Sequence, residues 1–349
     1  MLRTLLTAFI IITYTTLQGH VILPNFTLAA QKTDINQENS KSTSKYIKGI
    51  EKHITFTAHK DGNSTSTILR NGILIIKPGA KATILMCHGF MCDKTDTQFL
   101  RNIFEQYNTM TFDFRGHGEN TQGQCCSLGR DEAYDVIGAV RFIKSQPGLT
   151  HLPLIVYGFS MGSAASIRAQ SLDKTLFDGA ILDCPFDSTE NVLARSIEKL
   201  KISFFGHEIT LPARVQSFFH KYAYNHYVQS MLKFLLKAVA HMDATPINTC
   251  IKHVDPHEDI KKITVPVLII GCINDDKVPQ EAVESVYAGA AGYKRLWITN
   301  GRHHFDSYFF NPEKYTYKVQ KFIENIITKQ YQQKIQQKIL KDPNLSGTA

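Results

Sequence analysis

Residues 154–164 read LIVYGFSMGSA. The apolar run at the start asks for burial on both faces, which suits an interior strand of a sheet. It stops at Ser160, with Gly158 and Gly162 two places away on either side. From about Met161 the pattern becomes helical. A strand that turns so abruptly into a helix holds the turning residue in a strained conformation and lifts its hydroxyl above the sheet. The two glycines then meet a steric need, because larger side chains would collide across the turn. The G-x-S-x-G spacing alone is weak evidence, and the strand before it with the helix after it gives it weight. The plainer alternative is a serine capping a helix beside two packing glycines.

Reading outward from this stretch, short strand-like runs alternate with helical segments. The candidate strands are HITFTA at 53–58, TILRNGILII at 67–76, ATILMC at 82–87, NTMTFDF at 108–114, PLIVYG at 153–158, GAILDC at 179–184, PVLIIGC at 266–272 and RLWIT at 295–299. Helical patterns cover 131–145, 162–171, 280–289 and 312–329. The alternation predicts an α/β fold with a mostly parallel sheet, helices on both faces and a hairpin in front. In such a sheet the functional groups collect beyond the carboxyl ends of the strands.

A serine hydroxyl is a poor nucleophile, so Ser160 needs a base, a group to orient that base, and donors for a developing oxyanion. After the seventh strand NDDKVP supplies Asp275 and Asp276, and after the eighth NGRHHFDSYFFNPEKY supplies His303 and His304. The order Ser, Asp, His suits a triad laid out on this sheet. After the third strand CHGF offers the backbone N–H of Phe90, to be paired with that of Met161.

HGF at 88–90, DFRGHG at 113–118, GFSMG at 158–162 and DDKVP followed by HHFDSY together make the chain resemble the alpha/beta-hydrolase superfamily. The likeness covers about residues 51–186 and 260–327. Within the superfamily the chain is most similar to bacterial esterases and to the alpha/beta-hydrolase-domain depalmitoylases and lipid hydrolases. The resemblance implies the alpha/beta-hydrolase fold, with an eight-stranded sheet and a helical lid inserted after strand six. It selects Asp275 over Asp276 through D-x-x-V-P, and His304 over His303 through the pattern H-A-x-S-Y followed by N-P-E-x-Y. Asp183, at the end of the sixth strand, is the reserve acid, because some hydrolases of this fold carry theirs there. Cys272 stands where a glycine is usual and Asn120 where a serine is usual, and neither change removes a catalytic group. Asp113, Arg115 and His117 read as hydrogen-bonding residues that fix a loop near the site. Asp187 reads as a helix cap.

The expected activity is hydrolysis of a carboxylic ester or thioester through an acyl-enzyme, with a small-molecule or lipid-like acyl substrate. A serine peptidase or amidase would use the same triad, and a non-catalytic binding protein could keep the fold. No dinucleotide or phosphate-loop fingerprint appears, so no cofactor is expected. No His/Cys set has zinc-site spacing. HVDPHED at 253–259 offers metal-ligand residue types but reads as a solvated loop.

From about 187 to 257 the strand pattern stops, and this insertion is the expected lid. Met231, Leu232, Leu235, Leu236 and Val239 recur there at helical spacing. Between 195 and 237 Arg195, Lys199, Lys201, Arg214, Lys221, Lys233 and Lys237 outnumber Glu198 and Glu208, seven to two, an excess of five. Phe204, Phe205, Phe218, Phe219, Tyr222, Tyr224 and Tyr227 accompany them. Such a surface suits an anionic membrane, and the competing reading packs the aromatics inward. Over the full 349 residues the net charge of +8 is spread without a dense basic block, which argues against nucleic acid.

Residues 1–30 carry Arg3 and an apolar stretch from Leu5 to Leu17, and read as a secretory signal or a membrane anchor. Residues 31–50 read as a polar linker, 51–330 as the hydrolase domain and 331–349 as a polar tail. Cleavage would leave a mature chain starting near Ala30 or Gln31, outside the cytoplasm. Against export stand the seven cysteines. Cys87, Cys184 and Cys272 lie in or at the ends of apolar runs as small core residues, and the adjacent Cys125 and Cys126 make an unfavourable pair with each other. Those reduced-looking cysteines keep a cytoplasmic location as the alternative.

Overall fold

Strands β1 (Ile50–His59) and β2 (Thr67–Ile76) form an antiparallel hairpin at the edge of the sheet. The computed structural model describes residues 49–63, 65–119, 124–198, 201–204, 207–210, 212–225, 227–230 and 248–329. After the hairpin come β3 (Thr83–Cys87), β4 (Asn108–Phe112), β5 (Leu154–Phe159) and β6 (Gly179–Asp183). The sheet is completed by β9 (Val267–Cys272) and β10 (Lys294–Thr299). These eight strands pair in the order β1-β2-β4-β3-β5-β6-β9-β10. All pairings from β4 to β10 are parallel.

The continuous apolar runs are explained by the two-sided burial of the central strands. Leu85, Val156, Ala180 and Val267 are neighbours in register and form one row across the sheet. That row packs under helices α1 (Glu132–Ser145), α2 (Met161–Leu172) and α6 (Gln280–Gly289). One residue further along, Met86, Tyr157, Ile181 and Leu268 form the next row and face the other way. They pack with Leu100 of the 3-10 turn Gln98–Asn102 and with Val319 and Phe322 of α7 (Pro312–Ile327). A period of two thus sends the central strands' side chains into alternate cores. Deleting one such buried aliphatic side chain costs about 2–5 kcal/mol.

The described residues fall into two compact units, one within Ile47–Val192 and Pro246–Ala349 and the other within Leu193–Thr245. The first holds the sheet. In the second, β7 (Lys201–Phe204) and β8 (His207–Thr210) pair as an antiparallel hairpin, and α4 spans Ala213–Lys221. Helix α3 (Thr189–Glu198) leads into it. The insertion is therefore not purely helical. KISF alternates polar and apolar residues over only four positions and HEIT has a single apolar residue, so neither pattern stands out in the sequence. The expected helix around Met231–Val239, the N-terminal signal or anchor, the first part of the linker and the C-terminal tail lie outside the described residues. Among the described residues no helix is long and apolar enough to cross a membrane. HVDPHED is also not a loop throughout, since α5 covers Pro256–Ile260 with Asp255 accepting from the Glu258 N–H at its start.

Candidate active site

Four of the strands that run parallel end in a residue or loop with backbone in the left-handed region. Met91 follows β3, Ser160 follows β5, Cys184 follows β6 and Phe305 follows β10, with φ of 63°, 49°, 48° and 69°. None is glycine, so each conformation stores strain that the surrounding packing must hold, and such strain gathers at functional sites.

At the Ser160 turn φ is 49° and ψ −110°. The Ser160 N–H donates to the Asp183 carbonyl at 2.8 Å, and its own carbonyl accepts from Ala164 at 3.1 Å. A Cβ on Gly158 would lie 2.7 Å from Ser163 Cα, and one on Gly162 would lie 2.1 Å from the Cys87 carbonyl oxygen. Both distances are impossible for real atoms, so the flanking glycines are required by close approach, as the sequence implies. Ser160 itself is half-buried.

Two loops further along the sheet edge, His304 Nδ1 lies 2.7 Å from Asp275 Oδ2. The other carboxylate oxygen of Asp275 accepts from the N–H groups of Lys277 at 2.9 Å and Val278 at 2.8 Å. Burial pushes this carboxyl up, but the His304 hydrogen bond and charge together with those two N–H groups outweigh it and hold the pKa below the ordinary value. Asp276 and His303 are exposed one position away. The His304 ring stands 5.0 Å from the ring of Phe159, the residue before Ser160. Cys184, Asp275 and His304 present ligand-type atoms within 4.8 Å of one another. Among the described residues Ser160 Oγ makes no hydrogen bond to His304, a contact that in free enzymes often tightens only when substrate binds.

Asp183 lies elsewhere. It is fully buried, and its Oδ2 accepts from the Tyr315 hydroxyl at 2.6 Å and the Tyr157 hydroxyl at 3.2 Å. Burial pushes its carboxyl up to about 6 against the pull of the Tyr315, Cys184 and Tyr157 hydrogen bonds. Its partners are phenols and a thiol instead of the imidazole.

The loop after β3 is pinned from below. His88 is buried, with Nε2 accepting from the Phe114 N–H at 3.0 Å and Nδ1 2.7 Å from the Gly89 carbonyl. Burial, with the charge of His117, depresses its pKa to about 3, so it stays neutral in this role. His117 Nε2 accepts from the Met91 N–H at 3.3 Å while Nδ1 lies 3.0 Å from the Arg115 carbonyl. Arg115 is held by Asp135 through Nη2 at 2.8 Å, and Asp113 by Lys94 at 2.6 Å. The Asp113, Arg115 and His117 motif thus supports the strained turn that carries Phe90 and Met91.

Sequence reasoning missed three features. Tyr157 and Tyr315 meet over Asp183 although 158 positions separate them. Lys94 is a buried lysine between Asp113 and Glu119, at 2.6 and 2.9 Å. Cys125 and Cys250 form a disulfide, with Cα atoms 5.6 Å apart and 125 residues between them in sequence. No local spacing announces such a pair; the nearest signal is that Cys92, Cys125, Cys126 and Cys250 lie outside the apolar runs that hold the other three. Cys87, Cys184 and Cys272 are free and buried, as core residues should be.

A model of the alpha/beta hydrolase family matches residues 84–316. The chain therefore belongs to the alpha/beta hydrolase family. It is 28% identical over 250 residues to the uncharacterized protein YqkD of Bacillus subtilis (strain 168), covering 70% of this chain and 72% of that one. An uncharacterized 31.7 kDa protein of Escherichia coli, from the traX-finO intergenic region, is 24% identical over 64% of this chain and 84% of its own length. Among solved structures, the Pyrococcus furiosus esterase Pf2001 superposes with a TM-score of 0.56 at 18% identity, over 88% of this chain and 99% of that one. A thermophilic esterase from Thermogutta terrifontis gives a TM-score of 0.52 at 16% identity, over 79% of this chain and 99% of that one. At these identities the structural likeness speaks for the fold alone.

Proposed function

We propose that the protein is a serine hydrolase that cleaves a carboxylic ester or thioester through an acyl-enzyme. The observation that carries the reading is the 2.7 Å hydrogen bond between His304 Nδ1 and Asp275, at the same sheet edge as the strained Ser160 turn. In this mechanism Ser160 Oγ bonds to the acyl carbon as its proton passes to His304 Nε2, and Asp275 stabilises the resulting imidazolium. The N–H groups of Phe90 and Met161 receive the oxyanion. Collapse of the tetrahedral intermediate expels the alcohol or thiol, which takes the proton from His304, and water then repeats the sequence to free the acid. An ester bond is favoured over an amide because two solved structures of this fold are esterases.

A lipid-like acyl substrate taken from an anionic surface belongs to the same reading. It is supported by the cationic, aromatic insertion, in which Tyr227 is 81% exposed. Export belongs to it as well, supported by the apolar segment near the N-terminus and by the Cys125–Cys250 disulfide, a bond that persists in oxidising compartments. The decisive test is Ser160→Ala. Reaction with a fluorophosphonate should disappear while the circular dichroism spectrum is retained, and undiminished labelling of a folded variant defeats the assignment.

A further inference from the structure

Cys125 opens a loop that lies directly against the turn carrying the nucleophile. Its neighbour Cys126 is fully buried, and the Cys126 Sγ touches Met161 Sδ at 3.4 Å. Gly129, three residues on, packs against Ala164 and the Met161 carbonyl. Met161 is the first residue of α2, so the Cys126 and Gly129 contacts pack against the helix start whose free N–H groups face the site.

The loop has two supports. From its own side, the buried Glu132 accepts from the N–H groups of Ser127 at 2.8 Å and Gly129 at 2.7 Å. From the other side comes the segment by which the chain returns from residues 193–245. Cys126 donates its N–H to the Asn248 carbonyl at 2.7 Å, Cys250 donates to the Cys126 carbonyl at 2.8 Å, and Lys252 donates to the Ser127 carbonyl at 3.2 Å. These bonds make a short parallel bridge with no regular strand on either side. A two-residue bridge of this kind is weak alone. The Cys125–Cys250 disulfide locks it covalently, one residue before the cysteine that touches Met161. Both bridged cysteines are half-buried, whereas Cys87, Cys92, Cys126, Cys184 and Cys272 are buried free thiols.

We propose that the Cys125–Cys250 disulfide is a positioning element for the oxyanion donor Met161, so that full turnover requires the oxidised enzyme. The proposal rests on the serine-hydrolase reading above, in which the Met161 N–H receives the oxyanion. Reduction by a dithiol transfers two electrons and two protons to the bridge. The reductant closes to its cyclic disulfide, and Cys125 and Cys250 become thiols. The return segment then keeps its backbone hydrogen bonds and the Lys252–Asp131 ion pair but loses its covalent tie beside Cys126, the loop at Cys126 relaxes, and Met161 loses its fixed neighbour. Misplacement of a catalytic group by about 1 Å costs roughly 100-fold in rate, so a smaller shift predicts a loss of about 10-fold.

The experiment uses the full chain and dithiothreitol, with peptide mass spectrometry after alkylation confirming which cysteines have been opened. The assay is held well below the melting temperature of the reduced protein. We expect kcat to fall by about 10-fold with KM nearly unchanged, and affinity for a trifluoromethyl ketone, whose hemiketal oxyanion needs the same donors, to fall by the same factor. Reoxidation should restore both. The Cys125→Ser/Cys250→Ser double variant should match the reduced wild type and ignore dithiothreitol. Unchanged kcat and ketone affinity in the verified reduced protein overturn the proposal. So does a loss of kcat that appears only as the reduced protein nears its melting temperature, because the bridge is then only a staple. If fluorophosphonate labelling of the oxidised protein persists in Ser160→Ala, the serine-hydrolase reading fails first. If labelling depends on Ser160 but is indifferent to dithiothreitol, only the disulfide proposal fails.

Discussion

A buried aspartate ends β6 and another follows β9, and the two environments oppose each other. Asp275 leaves β9 by a turn whose N–H groups point at it, and it reaches the imidazole at 2.7 Å. Asp183 is the last residue of β6 and meets the hydroxyls of Tyr157 and Tyr315 in the core. Against its burial, the His304 hydrogen bond and two backbone N–H donors hold the first carboxyl's pKa down, while burial pushes the second up to about 6. Position at the sheet edge is therefore not enough to make an acid part of a relay. The balance between burial and the neighbouring donors decides in which direction each carboxyl's pKa moves.

The sharpest way to break this contrast is to remove the partners one at a time. His304→Ala should lower turnover by roughly 10⁴-fold or more, against a few-fold change for the exposed His303→Ala, as measured by steady-state ester hydrolysis. The reverse ranking would move the base one residue upstream. Asp275→Asn should cost roughly 10³–10⁴-fold because the imidazole loses its orienting acceptor. Asp183→Asn should retain most activity, and equal damage from the two substitutions would erase the distinction.

A smaller effect separates the two acids by the pH dependence of stability. Asp183 holds its proton in the folded state up to about 6, while the unfolded chain gives it up near an ordinary value of about 4. Between those values the folded state binds more protons, so this group's contribution to stability falls as pH rises. Asp275 has the opposite sign: its depressed folded pKa contributes stability above about pH 4, which is lost as pH falls through the folded value. Urea unfolding from pH 4 to 7 should show the difference between Asp183→Asn and wild type moving in favour of the variant by roughly 1–3 kcal/mol. A constant difference would mean that Asp183 does not titrate in this window.

The smallest expected effect concerns the other unit. Vesicles containing anionic lipid should sediment the protein at low salt and release it near 0.5 M salt, since each basic residue contributes only about 1 kcal/mol and is screened. Hydrolysis should also favour medium or long acyl chains over acetyl. Absent sedimentation together with fastest cleavage of acetyl esters would leave the insertion without a lipid role.

The alternation of strands and helices was legible because burial on both faces writes a continuous apolar run, and all eight strands of the sheet lie within a few residues of those runs. The β7–β8 hairpin was not legible, because its strands span four residues each and their pattern is no stronger than that of a loop. The serine turn could be read because its steric demand falls on residues two places away. The cysteine bridge could not, since it joins loops whose approach depends on the whole sheet being assembled.

By itself, then, the amino-acid sequence determined the local geometry: the two-faced strands, the glycines that let Cys87 and Ser163 approach the turn, and the chemical types present at the strand ends. It offered Asp183, Asp275 and Asp276, and His303 and His304, with only resemblance to choose among them. The tertiary structure decided the pairings. Charge state and hydrogen-bond partner are set by which side chains meet across strands and loops far apart in the chain, and that meeting depends on register, burial and closure of the loops. Asp275 met an imidazole, Asp183 met two phenols, and Cys125 met Cys250, because folding brought those groups within a few ångströms while leaving Asp276 and His303 exposed.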